Sequence, residues 1–270
     1  MLLSSMEGGQ RGVLAEKSCI VTGGCRGLGL EISRELVKAG ARLVVTGRDQ
    51  TALDSAVRDL SRTGAQVMGV RCDVRDERAV TELAARVDSE WGSIDVLVNN
   101  SGIAGPTAPL WESTVAEWRE TLDVNLLGTY LCCRAVLPFM IEKKSGSVIT
   151  IGSMTGKRPL FGRTSYAASK TALIGFTRNL ALDAGPFGVR ANLVSPGPLE
   201  GDRIQQVFEA QASSRGVAVE TAREEMLSQS PLRRLVPQVD VARAVTFLAS
   251  DAAASITGED LNVSAGIVMH

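Results

Sequence analysis

The stretch Ser18-Cys19-Ile20-Val21-Thr22-Gly23-Gly24-Cys25-Arg26-Gly27-Leu28-Gly29 decides the fold. It opens on a short β-prone apolar run and leads into residues 28–39, an amphipathic helical pattern closed by Gly40. The glycines between are spaced G-x-x-x-G-x-G, which differs from the G-x-G-x-x-G pattern with an acidic residue about 20 positions on. Glycines at a strand-to-helix junction let the backbone turn tightly and approach a pyrophosphate, whose charge then rests on helix N–H groups. Such a turn can also be a plain connection. Its place at the first strand–helix junction is what favours a dinucleotide site.

Outward from this junction, short β-rich runs alternate with longer helical ones. Strands are expected at residues 18–22, 42–46, 66–71, 94–99, 147–151, 190–195 and 261–263. Helices are expected at 28–39, 50–62, 77–91, 113–140, 166–183 and 239–248. Val96-Leu97-Val98 and Val148-Ile149-Thr150-Ile151 are nearly continuous apolar runs, as strands covered on both faces should be. The alternation predicts an α/β fold with a doubly wound parallel sheet of about seven strands and helices on both faces. With no internal repeat and no Pro/Ser-rich linker, residues 17–270 read as a single domain behind a flexible leader at 1–16. Residues 196–237 break the rhythm: no strand pattern appears, and 202–215 and 219–228 read as helices. A long excursion at the carboxyl end of a strand reads as a substrate lid over about 198–230, the alternative being a plain surface insertion.

Composition narrows the chemistry. In 270 residues, 29 Lys and Arg against 30 Asp and Glu give a net charge of -1, so no field favours nucleic acid or an anionic membrane. The only histidine is His270, which removes His-centred triads and His-ligated zinc, and no metal is expected. The five cysteines lack CxxC spacing and lie mostly in apolar stretches, as reduced thiols do; with no signal-peptide core near the start, a cytoplasmic protein is expected. No uninterrupted apolar run reaches the ~18 residues of a spanning helix.

After the second strand the chain reads Thr46-Gly47-Arg48-Asp49. A carboxylate at that point would repel a ribose 2′-phosphate, whereas Gly47 leaves room and Arg48 supplies a bidentate cation. Arg26 can close on the same phosphate. NADP(H) is therefore the preferred cofactor and NAD(H) a possible one. Asp73, past the third strand, either accepts from the adenine amino group or caps its own turn.

Ser153 follows the fifth strand, and Tyr166-Ala167-Ala168-Ser169-Lys170 begins a helix thirteen residues later. A spacing of four puts Tyr166 and Lys170 on one helical face. In a chain with two tyrosines this pair joins Asn125 and the run Asn99-Asn100-Ser101-Gly102 after the fourth strand.

With these residues the sequence resembles the short-chain dehydrogenase/reductase family, in its compact single-domain branch, and looks closest to the 3-oxoacyl-carrier-protein-reductase-like members. The resemblance runs from about Lys17 to Val268 and includes Pro196-Gly197 and Thr257-Gly258. It implies a Rossmann-type sheet, a nicotinamide cofactor, a catalytic set Asn125, Ser153, Tyr166 and Lys170, and a homotetramer or homodimer. It implies cofactor contacts at Gly23, Arg26, Gly27, Leu28 and Gly29, then Arg48, Asp73 and Val74, then Asn100 and Gly102. Tyr166, Lys170, Pro196, Gly197 and Leu199 complete that set. Three positions depart from the family pattern. Ser101 stands where Ala is usual, Val263-Ser264-Ala265-Gly266 stands for Val-Asp-Gly-Gly, and Gly201 stands where many members carry a Thr on the nicotinamide carboxamide.

The chemistry can also be argued from the residues. Reducing a ketone needs a hydride and a proton for the developing alkoxide, and Tyr166 can donate that proton. Moving a phenol from about 10 toward 7 takes roughly 4 kcal/mol. A cation about 4 Å away at an effective dielectric near 20 supplies about that much, which suits Lys170. Ser153 would hold the substrate oxygen, and Asn125 would orient a water that relays protons to Lys170. Ser153 is no hydrolase nucleophile, since Ile151-Gly152-Ser153-Met154-Thr155 is not G-x-S-x-G and no histidine base is at hand. The expected function is NADP(H)-dependent interconversion of a ketone and a secondary alcohol. The alternatives are an NAD-linked alcohol or hydroxy-acid dehydrogenase and a non-catalytic dinucleotide-binding redox sensor. Met154, Leu160, Phe161, Ile103, Leu199, Val207 and Phe208 are candidates for an apolar substrate pocket, and Lys157, Arg158 and Arg203 for an acid-binding one.

Overall fold

The structure is a computed structural model and describes residues 12–270, without the side chains of Asp202 and Arg203. In chain order the main elements are β1 (Ser18–Val21), α1 (Gly27–Lys38), β2 (Arg42–Gly47), α2 (Gln50–Ser61), β3 (Val67–Arg71), α3 (Glu77–Trp91) and β4 (Val96–Asn99). They continue with α4 (Val115–Leu122), α5 (Gly128–Lys143), β5 (Gly146–Ile151), α6 (Thr164–Ala184) and β6 (Val189–Pro196). The last are α7 (Asp202–Arg215), α8 (Val219–Ser228), α9 (Gln238–Ala249) and β7 (Asp260–Val263).

All seven strands are parallel in the order β3-β2-β1-β4-β5-β6-β7, so the winding reverses between β1 and β4 and opens a crevice at their carboxyl ends. The period-2 alternation of strand side chains sends Cys19, Val21, Leu43, Val45, Val96 and Val98 to one face, where Ile32 and Leu36 of α1 and Val241 and Val245 of α9 cover them. Ile20, Val44, Leu97 and Val148 point the other way, onto Val80 and Leu83 of α3, Leu131 and Val136 of α5 and Leu180 of α6. Both faces of the sheet are therefore dry, which is why its central strands are apolar throughout.

Helix starts follow side-chain chemistry. Asp49 and Asp76 accept first-turn N–H groups of α2 and α3, and Thr114 with Glu117 forms a capping box at α4. Two expectations are refined. The helix expected at 113–140 is the helical run Val115–Lys143, and Asp123–Leu127 form a π-turn within it, between α4 and α5. The extra residue rotates Asn125 into the core, and Gly128 lets the chain run against Val74, whose methyl a side chain there would meet at 2.6 Å. Part of the segment expected as a leader is also packed. Leu14 is fully buried and its N–H donates to Ala39 O at 2.9 Å, so residues 12–16 belong to the domain, while 1–11 lie outside the described residues. The run Val115–Lys143 is apolar and long enough to span a bilayer, but half of its most apolar window is buried, with Leu131, Cys132, Cys133, Val136 and Met140 in the core.

Candidate active site

The first wall of the crevice is the glycine turn. Thr22 Oγ1 accepts the N–H groups of Asn100 and Ser101, both at 3.0 Å, and Asn100 Nδ2 donates to Thr22 O at 2.9 Å and Gly23 O at 3.2 Å. These bonds sew the end of β1 to the end of β4. Gly23 lies at φ +64° and Gly27 at φ +50°; a side chain at Gly29 would collide with Gly23 O, while Gly27 faces open space. Arg26 stands at the N-cap of α1 with no side-chain cap, which leaves first-turn N–H groups for an anionic ligand. An uncapped helix start beneath an open glycine cradle fits a dinucleotide pyrophosphate.

The next wall is the end of β2. A Cβ at Gly47 would meet Cys25 Sγ at 2.9 Å, so the sulfur takes the space an acidic side chain there would need. Arg26 and Arg48 are both exposed, and Arg48 Nη1 lies 4.0 Å from Asp73 Oδ2. Of the two readings of Asp73, the structure displays the turn cap. Its Oδ1 accepts Arg75 N–H at 3.1 Å and its carboxylate holds the Arg75 guanidinium at 2.6 Å, which keeps the carboxyl below its ordinary range. The Val74 side chain is spent in the core. On the far side Gly197 N–H donates to Val263 O at 2.9 Å, and a parallel bridge ties Leu199 to Val236. Gly201 holds φ +122° at the start of α7, a backbone geometry a threonine would strain to adopt, so the Thr-to-Gly departure is built into the chain path.

The catalytic candidates converge beside this crevice. Lys170, buried one turn after Tyr166 on α6, donates from Nζ to Ile151 O at 2.7 Å and lies 5.8 Å from the Tyr166 ring centroid. Ser153 caps the short turn Met154–Gly156, and its Oγ accepts Thr155 N–H at 3.1 Å. A Cβ at Gly102 would stand 3.3 Å from Asn125 Oδ1 and 3.6 Å from Lys170 Nζ, so the loop after β4, the π-turn and α6 meet at one point. Asn125 is fully engaged: Oδ1 accepts Ile103 N–H, Nδ2 donates to Ile103 O and Ser169 Oγ, and its main-chain oxygen accepts from Thr129 Oγ1.

Sequence reasoning missed Arg163. Only 6% exposed, it places Cζ 4.8 Å from the Tyr166 ring centroid and Nη1 3.3 Å from Thr107 Oγ1. Its single sequence signal is a position three residues before the tyrosine.

A cleft is lined by Met154, Pro159, Leu160, Met226 and Ile267 together with Arg158, Arg215 and Glu225. Phe208 is buried in packing and does not line it, and Gln211 Nε2 of α7 donates to Phe161 O at 2.9 Å, fastening the excursion to the loop before α6. Lys157 is not a substrate ligand here: its Nζ is held at 2.8 Å by both Asp260 and Asn262 Oδ1 in a nearly buried pair. The Arg203 side chain lies outside the described residues. Among the described residues no three His, Cys, Asp or Glu side chains are placed to share a metal ion.

A doubly wound sheet with a glycine cradle at its switch point and a Tyr–Lys pair beside it defines a dinucleotide-binding oxidoreductase architecture. Residues 23–268 match the family model described as enoyl-(acyl carrier protein) reductase. The 3-oxoacyl-[acyl-carrier-protein] reductase of Escherichia coli (strain K12) is 34% identical over 253 residues, 94% of this chain and 98% of that protein. The cis-4-hydroxycyclohexanecarboxylate dehydrogenase of Sinomonas cyclohexanicum is 35% identical over 93% of this chain and 96% of its own. Among solved structures, NAD+-bound xylitol dehydrogenase superposes with a TM-score of 0.91 at 28% identity, covering 94% of this chain and 99% of that one. A single-substitution variant of actinorhodin polyketide ketoreductase with NADPH gives 0.88 at 33% identity, covering 93% and 97%. The chain belongs to the short-chain dehydrogenase/reductase family and is an oxidoreductase that acts on ketones and secondary alcohols with a nicotinamide cofactor.

Proposed function

We propose that this enzyme is an NADP(H)-dependent ketone reductase, with Tyr166 as general acid and, in the reverse direction, general base. The observation that carries the reading is Lys170, which lies beside the Tyr166 ring, donates to Ile151 O two residues before Ser153 and meets the loop after β4 at Gly102, next to the glycine cradle. When bound, the nicotinamide supplies the hydride. The protein does the rest. The glycine turn and the α1 start bind pyrophosphate, and Arg48 with Arg26 takes the 2′-phosphate. Ser153 Oγ already accepts Thr155 N–H, so its own hydrogen is available to the substrate oxygen, where it stabilises developing negative charge. Tyr166 delivers the proton to that oxygen, and Lys170, anchored on Ile151 O, favours the phenolate. Asn125 braces the loop after β4 through Ile103, and the helix excursion 198–230 acts as the lid over the substrate.

NAD(H) remains the second reading, favoured by the exposure of both arginines and by the superposition on an NAD+-bound dehydrogenase. Leu110, Trp111, Val115, Leu127 and Tyr130 leave apolar surface exposed from the α4 approach into α5, which supports a homotetramer or homodimer. Five free cysteines, four of them buried, suit a cytoplasmic setting. The deciding experiment is a turnover screen of ketones, hydroxy acids and polyols in both directions with both cofactors. Tyr166→Phe is expected to bind cofactor and to lose roughly 10²–10⁴-fold in kcat, as for a general acid. A variant keeping a tenth of the rate would move the role elsewhere, and cofactor binding with no turnover of any substrate would favour the sensor.

A further inference from the structure

We infer that Arg163 is a positioning residue for Tyr166: its stacked guanidinium fixes the phenol ring and lowers its affinity for a proton, as a second cation beside Lys170. The inference rests on the assignment of Tyr166 as the proton-transfer group.

Two cations flank the ring along α6. Arg163, one turn before Tyr166, lies with Cζ 4.8 Å from the ring centroid, and Lys170, one turn after, with Nζ at 5.8 Å. Both are nearly buried, so solvent screens neither contact as it would at a surface. Arg163 is also held in place. Nη1 reaches Thr107 Oγ1, and Ala108 N–H donates to Gly162 O at 3.1 Å, clamping the loop after β4 to the residue before the arginine. A guanidinium over an aromatic face is attracted to the ring, and a phenolate strengthens that attraction by a full charge.

Among the described side chains, which exclude those of Asp202 and Arg203, the other charged groups on neighbouring elements have partners or point elsewhere. From the β5 side, Lys157 is paired with Asp260, and Arg158 reaches toward Ile267 O at 3.5 Å. On α4, Glu117 is bound to Thr114, while Glu120 and Asp123 lie in the field of Arg75. Residues 103–109 carry no charge, and Glu200 is exposed. Arg163 and Lys170 are thus the two cations that the described side chains place against the ring.

The chain offers a direct measurement because it has two tyrosines, Tyr130 and Tyr166. In a Tyr130→Phe background, the tyrosinate absorbance near 295 nm reports Tyr166 alone, with no substrate or cofactor present. Replacing Arg163 by Met is expected to raise the titration midpoint by about one pH unit, the order given by a cation about 5 Å away at intermediate dielectric. Arg163→Lys should restore most of the shift. The midpoint of alcohol oxidation against pH should move upward in step, with the cofactor Kd unchanged. Coincident midpoints in the Arg, Met and Lys proteins would overturn the inference. Should Arg163→Met not fold, Arg163→Gln and Thr107→Val, which removes the Nη1 contact, replace it, and an unmoved midpoint in both overturns the inference equally. The phenol titration needs no turnover, so it stands apart from the Tyr166→Phe test: an inactive Tyr166→Phe with an unmoved midpoint defeats this inference alone.

Discussion

The side chain of Asn125 closes a two-bond ring on the main chain of Ile103, accepting its N–H at 2.8 Å and donating to its carbonyl at 3.1 Å. A third bond, from Nδ2 to Ser169 Oγ at 3.0 Å, continues to Tyr166 O at 2.8 Å. A water relay therefore cannot use the side-chain amide without breaking this brace.

Asn125→Leu should accordingly lose stability as well as rate. Three buried partners are left open, for a loss of about 2–4 kcal/mol in urea unfolding, and kcat should fall as the loop after β4 loosens. An unchanged unfolding free energy beside a lowered kcat would return Asn125 to a purely chemical role.

The 2′-phosphate contact proposed for Arg48 can be tested directly. Arg48→Leu should lower kcat/KM for NADPH by about 10- to 100-fold, the value of one partly exposed charge-assisted contact, and leave NADH nearly unchanged. Reversing the preference takes a carboxylate at Gly47, for which Cys25 Sγ, 2.9 Å from a Cβ there, has to turn aside. Gly47→Asp should therefore reverse it more fully when combined with Cys25→Ala. Equal kcat/KM ratios before and after the arginine change would show that Arg48 faces solvent in the complex.

Ala265 adopts φ +53°, a left-handed backbone at a position where relatives of this family commonly place glycine. Left-handed geometry costs an L-residue about 1–2 kcal/mol, and glycine gives back about half of that through its freer unfolded chain. Ala265→Gly should raise stability by about 0.5–1 kcal/mol, visible as a higher urea midpoint at constant m-value. A lower midpoint would mean that the methyl's packing outweighs the strain.

Asp95 makes stability depend on acid. Burial alone would raise its pKa, but Lys143 Nζ at 2.7 Å and Ser18 N–H at 2.9 Å hold the carboxyl below its ordinary range. Its contribution is complete above the unfolded carboxylate pKa, about 3.9, and fades as pH falls through the lower folded value. Asp95→Asn should cost about 1–3 kcal/mol near neutrality, given that Lys143 is partly exposed, and progressively less toward acid. A gap between the two proteins that stays constant down to acid unfolding would show that the carboxylate is not titrating in this way.

Strand alternation and glycine spacing made the sheet, the cradle and both excursion helices readable in advance, because each depends on local periodicity or a local turn. Residues 202–215 and 219–228 fall on α7 and α8 at the expected bounds. The π-turn was not readable, since Val124, Asn125 and Leu126 keep an ordinary helical pattern and the extra residue is set by Ile103, distant in sequence. Arg163 and the Lys157–Asp260 pair escaped for the same reason. Each owes its place to a partner across the fold, and a charged side chain near a turn reads as solvated until that partner is known.

The Lys157–Asp260 pair also bears on how the protein is made. Asp260 opens β7, which leaves the ribosome well after Lys157, a residue between β5 and the helix that carries Tyr166. Until Asp260 emerges, that ammonium has no carboxylate and cannot be buried without a large desolvation cost. A nascent chain can thus assemble the β1–β4 centre of the sheet during synthesis but not finish the catalytic end. Messages cut short before codon 260 should yield chains with a cofactor cradle and an open, protease-sensitive catalytic loop.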